Sequence, residues 1–329
     1  RILFQNEGLL LGKLIHLVGE EASFKSTFSL EVLRWHLDNG GYGVVLDTES
    51  RPIPDTQERV LGKRENFRSL SCTSLEEWQR SLTSLTKQFK EAEQLGCFVV
   101  DSLLGCNSSQ TIGQLMNKGY MDARHPTEAR SISDYWRTFT PLLLGTPITI
   151  IITNHRKYRA NTNPHLPVIK TSLGGNETRF CVSHEFELAK KSQNKVLGQS
   201  KLYELTFRIC KNTYGMQDVI LKIPVRFDYD SIKFEWHTAT AQFLDDFSIL
   251  YPKVSGSIAD KLHEIVTVKS RSGGKKGTLY FSDQLGISIK DAVTGEELGA
   301  ILEQHPDKLS AIYDILDIRK RYIYNPLLS

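Results

Sequence analysis

"VGEEASFKST", residues 18–27, follows the strand-like run "KLIHLV" (13–18) and leads into a helical pattern over about 25–38. Strand, loop and helix in that order is the context in which a lysine and an adjacent hydroxyl bind phosphate. Backbone N–H groups and the helix N-terminus cradle the anion, the lysine reaches the terminal phosphates and the hydroxyl holds magnesium. Here the segment runs Gly19, Glu20, Glu21, Ala22, Ser23, Phe24, Lys25, Ser26, Thr27. Phe24 stands where the usual pattern has glycine. It lies near the helix start, where right-handed backbone angles suit a non-glycine residue, provided the ring points away from the phosphates.

The rest of the chain reads outward from that loop. "YGVVLDTE", "FRSLSC", "CFVVDS" and "ITIIITN" are apolar strand-like runs separated by helical patterns near 55–64, 74–95 and 127–144. Such alternation predicts a parallel sheet covered by helices on both faces. After residue 184, "HEFELAKK", "KLYELTFRICK" and "DVILKIPVRF" alternate with short connections, which predicts antiparallel strands added to that sheet. The expected architecture is therefore α/β. Residues 1–236 form a core with a mostly parallel central sheet plus antiparallel strands, and residues 237–329 form a small C-terminal helical or α+β domain.

Composition excludes several classes. Of 329 residues, 40% are hydrophobic and 24% charged, ordinary for a globular chain. No apolar run reaches the roughly 18 residues of a membrane span. "RILFQNEGLL" at the start has no cleavage pattern, so no signal peptide is expected. The five cysteines form no CxxC pair, which argues against a zinc or disulfide framework and for a reducing cytosol. A net charge of +3 does not announce a nucleic-acid binder, although local patches outweigh the total.

Two acidic segments complete the candidate nucleotide site. Asp101 in "VVDS" ends an apolar strand, where a carboxylate either supports magnesium or initiates a turn. Glu49 in "VLDTES" sits at the C-terminal end of a predicted strand, the ligand side of an open α/β sheet. A carboxylate there can orient an attacking water.

The order Lys25-Ser26, Glu49, Asp101 along successive strands resembles the RecA recombinase family. "GLLLGKLIHLVGEEASFKST", "LDTES", "VVDS", "ARSISDYWR" (129–137), "IIITNHRKY", "TSLGGNETRF" (171–180) and "FRICKNTYG" resemble that family's motifs in consistent order over about residues 6–230. The "SFKS" loop is similar to its phage, UvsX-type branch. The resemblance implies a RecA-like P-loop ATPase core, with ATP and Mg2+ as cofactors. Lys25 would bind the β- and γ-phosphates, Ser26 and Asp101 would hold the metal, and Glu49 would activate water. Asn154 would couple the γ-phosphate to a DNA loop, and Lys211 would reach a neighbouring subunit's ATP. A second interface lysine of the family falls at Thr213, and its adenine-stacking aromatic falls near Thr56.

The resemblance also implies two DNA-binding loops, at about 105–126 and 155–172. The second contains Arg156, Lys157, Tyr158, Arg159 and Lys170 and no acid. It is either a solvated charged segment or one that neutralises phosphates and stacks on bases. Its place directly after Asn154 favours the latter. Arg130, Ser133 and Arg137 share one helix face by spacing, as a salt-bridged surface or as phosphate contacts. Gly174, Gly175 and Asn176 allow close backbone approach to a phosphate. "KSRSGGKK" reads as a flexible hairpin tip, either a solvated loop or a secondary site for duplex DNA, with the solvated loop favoured. The implied activity is a DNA-dependent ATPase recombinase that forms a helical homo-oligomeric filament on single-stranded DNA and pairs it with double-stranded DNA. Implied partners are a recombination mediator and a single-strand-binding protein, in a cytoplasmic, DNA-associated setting. A ring-forming helicase of the same core and a non-hydrolysing DNA-binding mediator are the competing readings.

Overall fold

The computed structural model describes residues 11–49, 54–103, 105–118, 127–159, 169–172, 175–197, 200–213, 220–228, 230–236, 266–270 and 276–280, with single positions 239, 297, 301 and 304. The first half alternates strand and helix. It runs β1 (Lys13–Gly19), α1 (Lys25–Asp38), β2 (Tyr42–Asp47), α2 (Pro54–Leu61), β3 (Phe67–Ser71), α3 (Leu75–Glu91) and β4 (Gly96–Asp101). Then come α4 (Ser109–Lys118), α5 (Thr127–Leu143), β5 (Ile148–Arg159), β6 (Ile169–Ser172) and α6 (Gly175–Cys181). Three long strands follow, β7 (His184–Leu197), β8 (Ser200–Asn212) and β9 (Ile220–Phe227), then short β10 (Ile232–Phe234).

The strands form one sheet in the order β10-β9-β8-β7-β1-β5-β4-β2-β3, with β6 attached to β5. β7, β1, β5, β4, β2 and β3 pair in parallel, and β7 through β10 pair antiparallel. The fold is thus α/β with a mostly parallel central sheet and an antiparallel extension, compatible with a Rossmann or RecA-like core.

Alternation along each strand separates two cores. Ile15, Leu17, Val45 and Val99 face Phe28 and Leu33 of α1, whereas Leu14, Leu46, Phe98 and Ile150 face Trp78 of α3 and Trp136 of α5. Burial on both faces explains why the parallel strands are continuous apolar runs. α3 is started by Ser74, whose side chain accepts from Glu77 N at 3.3 Å, while Glu77 accepts from Thr73 N at 2.7 Å. Both bonds satisfy N–H groups that a helix start leaves unpaired.

Two expectations change in detail. The segment expected as a first loop contains a ten-residue helix, α4, whose start is tied to Glu76 of α3 through Ser109. The expected second loop is strand at both ends, since Arg156–Arg159 pair with Ser172–Ile169. The residues between, 160–168, lie outside the described set, as do 119–126 and Gly174. Of the expected C-terminal domain, an antiparallel pair is described, β11 (Val266–Ser270) with β12 (Lys276–Tyr280), flanking the Gly-rich tip read from "KSRSGGKK". Of the helices expected from about residue 237 on, the single positions 239, 297, 301 and 304 are described and helical, and the rest falls outside the described set.

Candidate functional site

Strand register gathers the candidate residues at one edge of the sheet. Gly19 aligns with His155, Val18 with Asn154, and Asp47 with Asp101. This is the carboxyl edge, where open α/β sheets hold ligands. α1 begins at the same edge, directly after the loop, with no acidic residue in its first turn. Its N-terminal N–H groups and dipole favour an anion there.

The loop backbone departs from expectation at Phe24. Its φ is 66° and ψ 17°, left-handed rather than right-handed, and Ala22 also has a positive φ, 56°. Left-handed geometry costs a non-glycine residue roughly 1–2 kcal/mol. The ring supplies the physical reason it is tolerated. Phe24 is 8% exposed, stacks on Phe227 at 5.2 Å, meets Tyr203 edge-on at 5.6 Å and has Lys190 Nζ 4.9 Å from its centroid. Burying such a ring contributes about 1.5–3 kcal/mol, enough to offset the backbone cost. The ring therefore lies in the antiparallel extension. Positive φ at 22 and 24, but not at Ser23, is the alternation that turns successive N–H groups into a concave anion nest.

Lys25 is 6% exposed and its Nζ donates to Glu20 O at 2.5 Å, Gly19 O at 3.2 Å and Ser23 Oγ at 3.3 Å. The ammonium is thus held over the loop. Glu20, Glu21 and Ala22 form its exposed rim, while Ser23 and Thr27 are buried. A Cβ on Gly19 would lie 2.4 Å from Leu188 O and 2.5 Å from Ser23 Oγ, so only glycine fits between loop and β7.

Asp101 is 5% exposed and accepts from Thr153 Oγ1 at 2.5 Å, with the Ser26 hydroxyl nearby. Burial lifts its carboxyl above the usual range. The Thr153 and Ser26 hydroxyls oppose that shift, and the carboxylates of Glu49 and Asp47 add to it. Among the described residues no group of three or more His, Cys, Asp or Glu is placed to hold a metal. Magnesium needs only one or two protein ligands when phosphates and waters complete its shell. The Ser26 hydroxyl beside the Asp101 carboxylate, in a pocket of surplus negative charge, fits that requirement.

Glu49 accepts from Ser102 Oγ at 2.8 Å, and His155 Nε2 lies 3.4 Å from the same oxygen. Asn154 does not occupy that position. It is 1% exposed, with its amide nitrogen 3.1 Å from His16 Nε2 and its oxygen accepting from His155 N at 2.8 Å. Adjacent strand residues face opposite ways, so only one of the pair can face Glu49. Sequence reasoning passed over His155. Its signal was a second polar side chain at the end of the apolar run.

The expected DNA-contacting residues divide. Arg130 and Arg137 are exposed on α5, at 86% and 65%, with Asp134 between them at 3.9 Å from each. Arg137 also meets Glu177 of α6 at 3.3 Å, and Ser133 donates to Ala129 O at 2.9 Å. Arg156 is turned inward instead. It is 11% exposed, 3.3 Å from Glu187 and 3.7 Å from Glu185, because two carboxylates on β7 attract it more strongly than solvent. Lys157, Tyr158 and Arg159 lie on β5 opposite β6, and Gly175 and Asn176 open α6. Lys211 Nζ donates to Arg179 O at 2.9 Å and Phe180 O at 3.2 Å, closing the end of α6. Partial burial lowers its pKa against the pull of Glu185. Thr213 donates to Ser183 O at 2.8 Å, and Thr56 lies on α2.

A cavity of about 570 Å³ lies apart from this cluster, between Arg34, Trp35, Arg59 and Trp236. Arg34 is nine residues beyond Lys25, about 14 Å along the helix at 1.5 Å per residue.

No protein-family model matches the chain, and no curated protein matches it.

Proposed function

We propose that the chain is a DNA-dependent ATPase of the RecA-like recombinase type, acting as a filament on single-stranded DNA. The observation that carries this reading is the convergence of Lys25, Ser26, Asp101 and Glu49 at one sheet edge, with Ser26 near enough to Asp101 to bear on its carboxyl and Glu49 beside Ser102. Separate segments supply these groups, and no packing requirement of the core calls for them.

In this reading the nest over 22–24 and the α1 N-terminus take the phosphates, and Lys25 exchanges its carbonyl partners for phosphate oxygens. Ser26 and Asp101 would hold magnesium, which would supply neutralisation of charge on the phosphate oxygens. Glu49, fixed by Ser102, orients water for in-line attack and takes its proton. The exposed cations of α5 and the cations carried by the β5–β6 hairpin meet DNA phosphates. Lys211 leaves the α6 carbonyls for the ATP of an adjacent copy. Such a head-to-tail contact extends rather than closes.

Phosphate release measured with and without single-stranded DNA tests the reading. DNA-stimulated release, lost in Lys25→Ala, is expected. Binding to DNA without nucleotide hydrolysis would support the mediator reading instead. Closed rings as the sole particles on DNA with a slowly hydrolysed ATP analogue would support the helicase reading.

A further inference from the structure

A buried polar chain runs from the nucleotide edge to the expected DNA-contacting elements, and the reaction above does not use it. His16, at 0% exposure on β1, has its Nδ1 3.2 Å from Glu185 Oε2 of β7 and its Nε2 3.1 Å from Asn154 Nδ2 of β5. Asn154 in turn accepts from His155 N, and His155 faces Glu49. One assignment satisfies every link. A carboxylate cannot donate, so the proton sits on Nδ1. Nε2 then accepts from the Asn154 amide, leaving Asn154 Oδ1 for His155 N. Each group orients the next.

The far end is held differently. Glu185 is 0% exposed, and its Oε1 makes no hydrogen bond among the described residues. Arg156 NH2 stands 3.7 Å away and Arg179 Nε 3.6 Å away, attracted but beyond bonding distance. Arg156 begins the β5–β6 hairpin and Arg179 belongs to α6. A buried oxygen without a hydrogen bond is costly. A shift of roughly half an ångström in either element would satisfy it. Burial alone would raise the Glu185 carboxyl, but the His16 bond and the two guanidiniums hold it below the usual range, so the carboxylate is the charged partner both arms require.

We propose that Glu185 is a positioning residue, the junction through which the state of the nucleotide edge sets the placement of the β5–β6 hairpin and α6. Resting on the proposed ATPase reading, this inference specifies how that site is coupled to DNA. His16 passes the orientation of Asn154 and His155 to one carboxylate oxygen, and the other oxygen selects between looser and tighter seating of Arg156 and Arg179. A rigid element with two arrangements is the physical requirement for such coupling.

The test compares wild type, Glu185→Gln and His16→Gln as full chains. Labelled oligo-dT binding is measured by fluorescence anisotropy with and without a slowly hydrolysed ATP analogue. Analogue affinity is measured separately. In wild type the analogue tightens DNA binding. In both variants analogue affinity and nucleotide-free DNA affinity stay within about twofold, while the analogue-driven gain falls at least about fivefold, the size of ordinary coupling energies. Hydrogen exchange provides the structural control, with 155–159 and 175–181 exchanging faster together and 42–47 unchanged. A full gain retained in either variant, or exchange unchanged at both segments, overturns the inference while leaving the ATPase reading intact. Wild type that binds the analogue without any gain in DNA affinity overturns the coupling alone, whereas wild type that binds no analogue overturns the ATPase reading and the coupling with it.

Discussion

Replacing Phe24 tests the loop's backbone and side chain separately. Its ring packs on Phe227 and Tyr203 at 5.2 and 5.6 Å, so removing it should cost about 3 kcal/mol, the low end for a buried phenylalanine. Its backbone is left-handed at φ 66°, which alanine must also adopt at a cost of about 1 kcal/mol and glycine adopts freely. Phe24→Ala should therefore lose about 3 kcal/mol, and Phe24→Gly about 2 kcal/mol, because the second change also relieves the backbone. Glycine is ordinarily the worse substitute within an element by up to about 1 kcal/mol, so the expected order is inverted. Urea titration followed by tryptophan fluorescence measures it, comparing midpoints at constant slope. Phe24→Ala equal to or more stable than Phe24→Gly would refute the left-handed assignment. Both variants at wild-type stability would refute the buried ring. Nucleotide binding to Phe24→Gly, followed with a fluorescent ATP analogue, should be unimpaired, since the ring faces the antiparallel extension.

Further expectations rest on other contacts. Gly19→Ala places a methyl 2.4 Å from Leu188 O, and overpacking against backbone should lower stability by about 2 kcal/mol in the same titration. Glu49→Gln keeps the Ser102 contact but cannot take a proton, so nucleotide binding should persist while phosphate release falls at least about 100-fold. The raised Asp101 carboxyl means that its ionised form opposes folding at neutral pH, an opposition relieved as pH falls through the raised pKa. Asp101→Asn should accordingly raise the thermal midpoint at pH 7 while abolishing magnesium-dependent turnover. His184 is held neutral by burial, with its pKa lowered from 6.5 to about 4. Its folded-state preference for the neutral ring is fully present above pH 6.5 and is lost as pH falls towards 4, a change of about 3 kcal/mol. Urea titrations across that range should show His184→Gln losing less stability than wild type.

The candidate site was legible in the sequence where a chemical pattern coincided with a local structural signal. Lys25-Ser26 follows an apolar strand and opens a helix, and Glu49 and Asp101 each end an apolar run. All three local contexts hold in the fold. The residues on β5 were less legible. Asn154, His155 and Arg156 are consecutive polar groups after a buried run, and their order says nothing about which faces Glu49 and which faces β7. α4 carries Ile112, Leu115 and Met116 at helical spacing, but none of its residues is buried and the polar residues around them read as a loop.

Sequence alone determined the alternating strands and helices, the antiparallel extension and the residue types at the carboxyl edge, because hydrophobic period and motif spacing are local properties of the chain. Tertiary structure decided the left-handed turn at Phe24, the inward Arg156 and the His16–Glu185 junction. Each depends on partners far away in sequence, 169 residues in the case of His16 and Glu185. Strand register and burial, not local pattern, choose the partners of a charge or a ring when several elements compete for it.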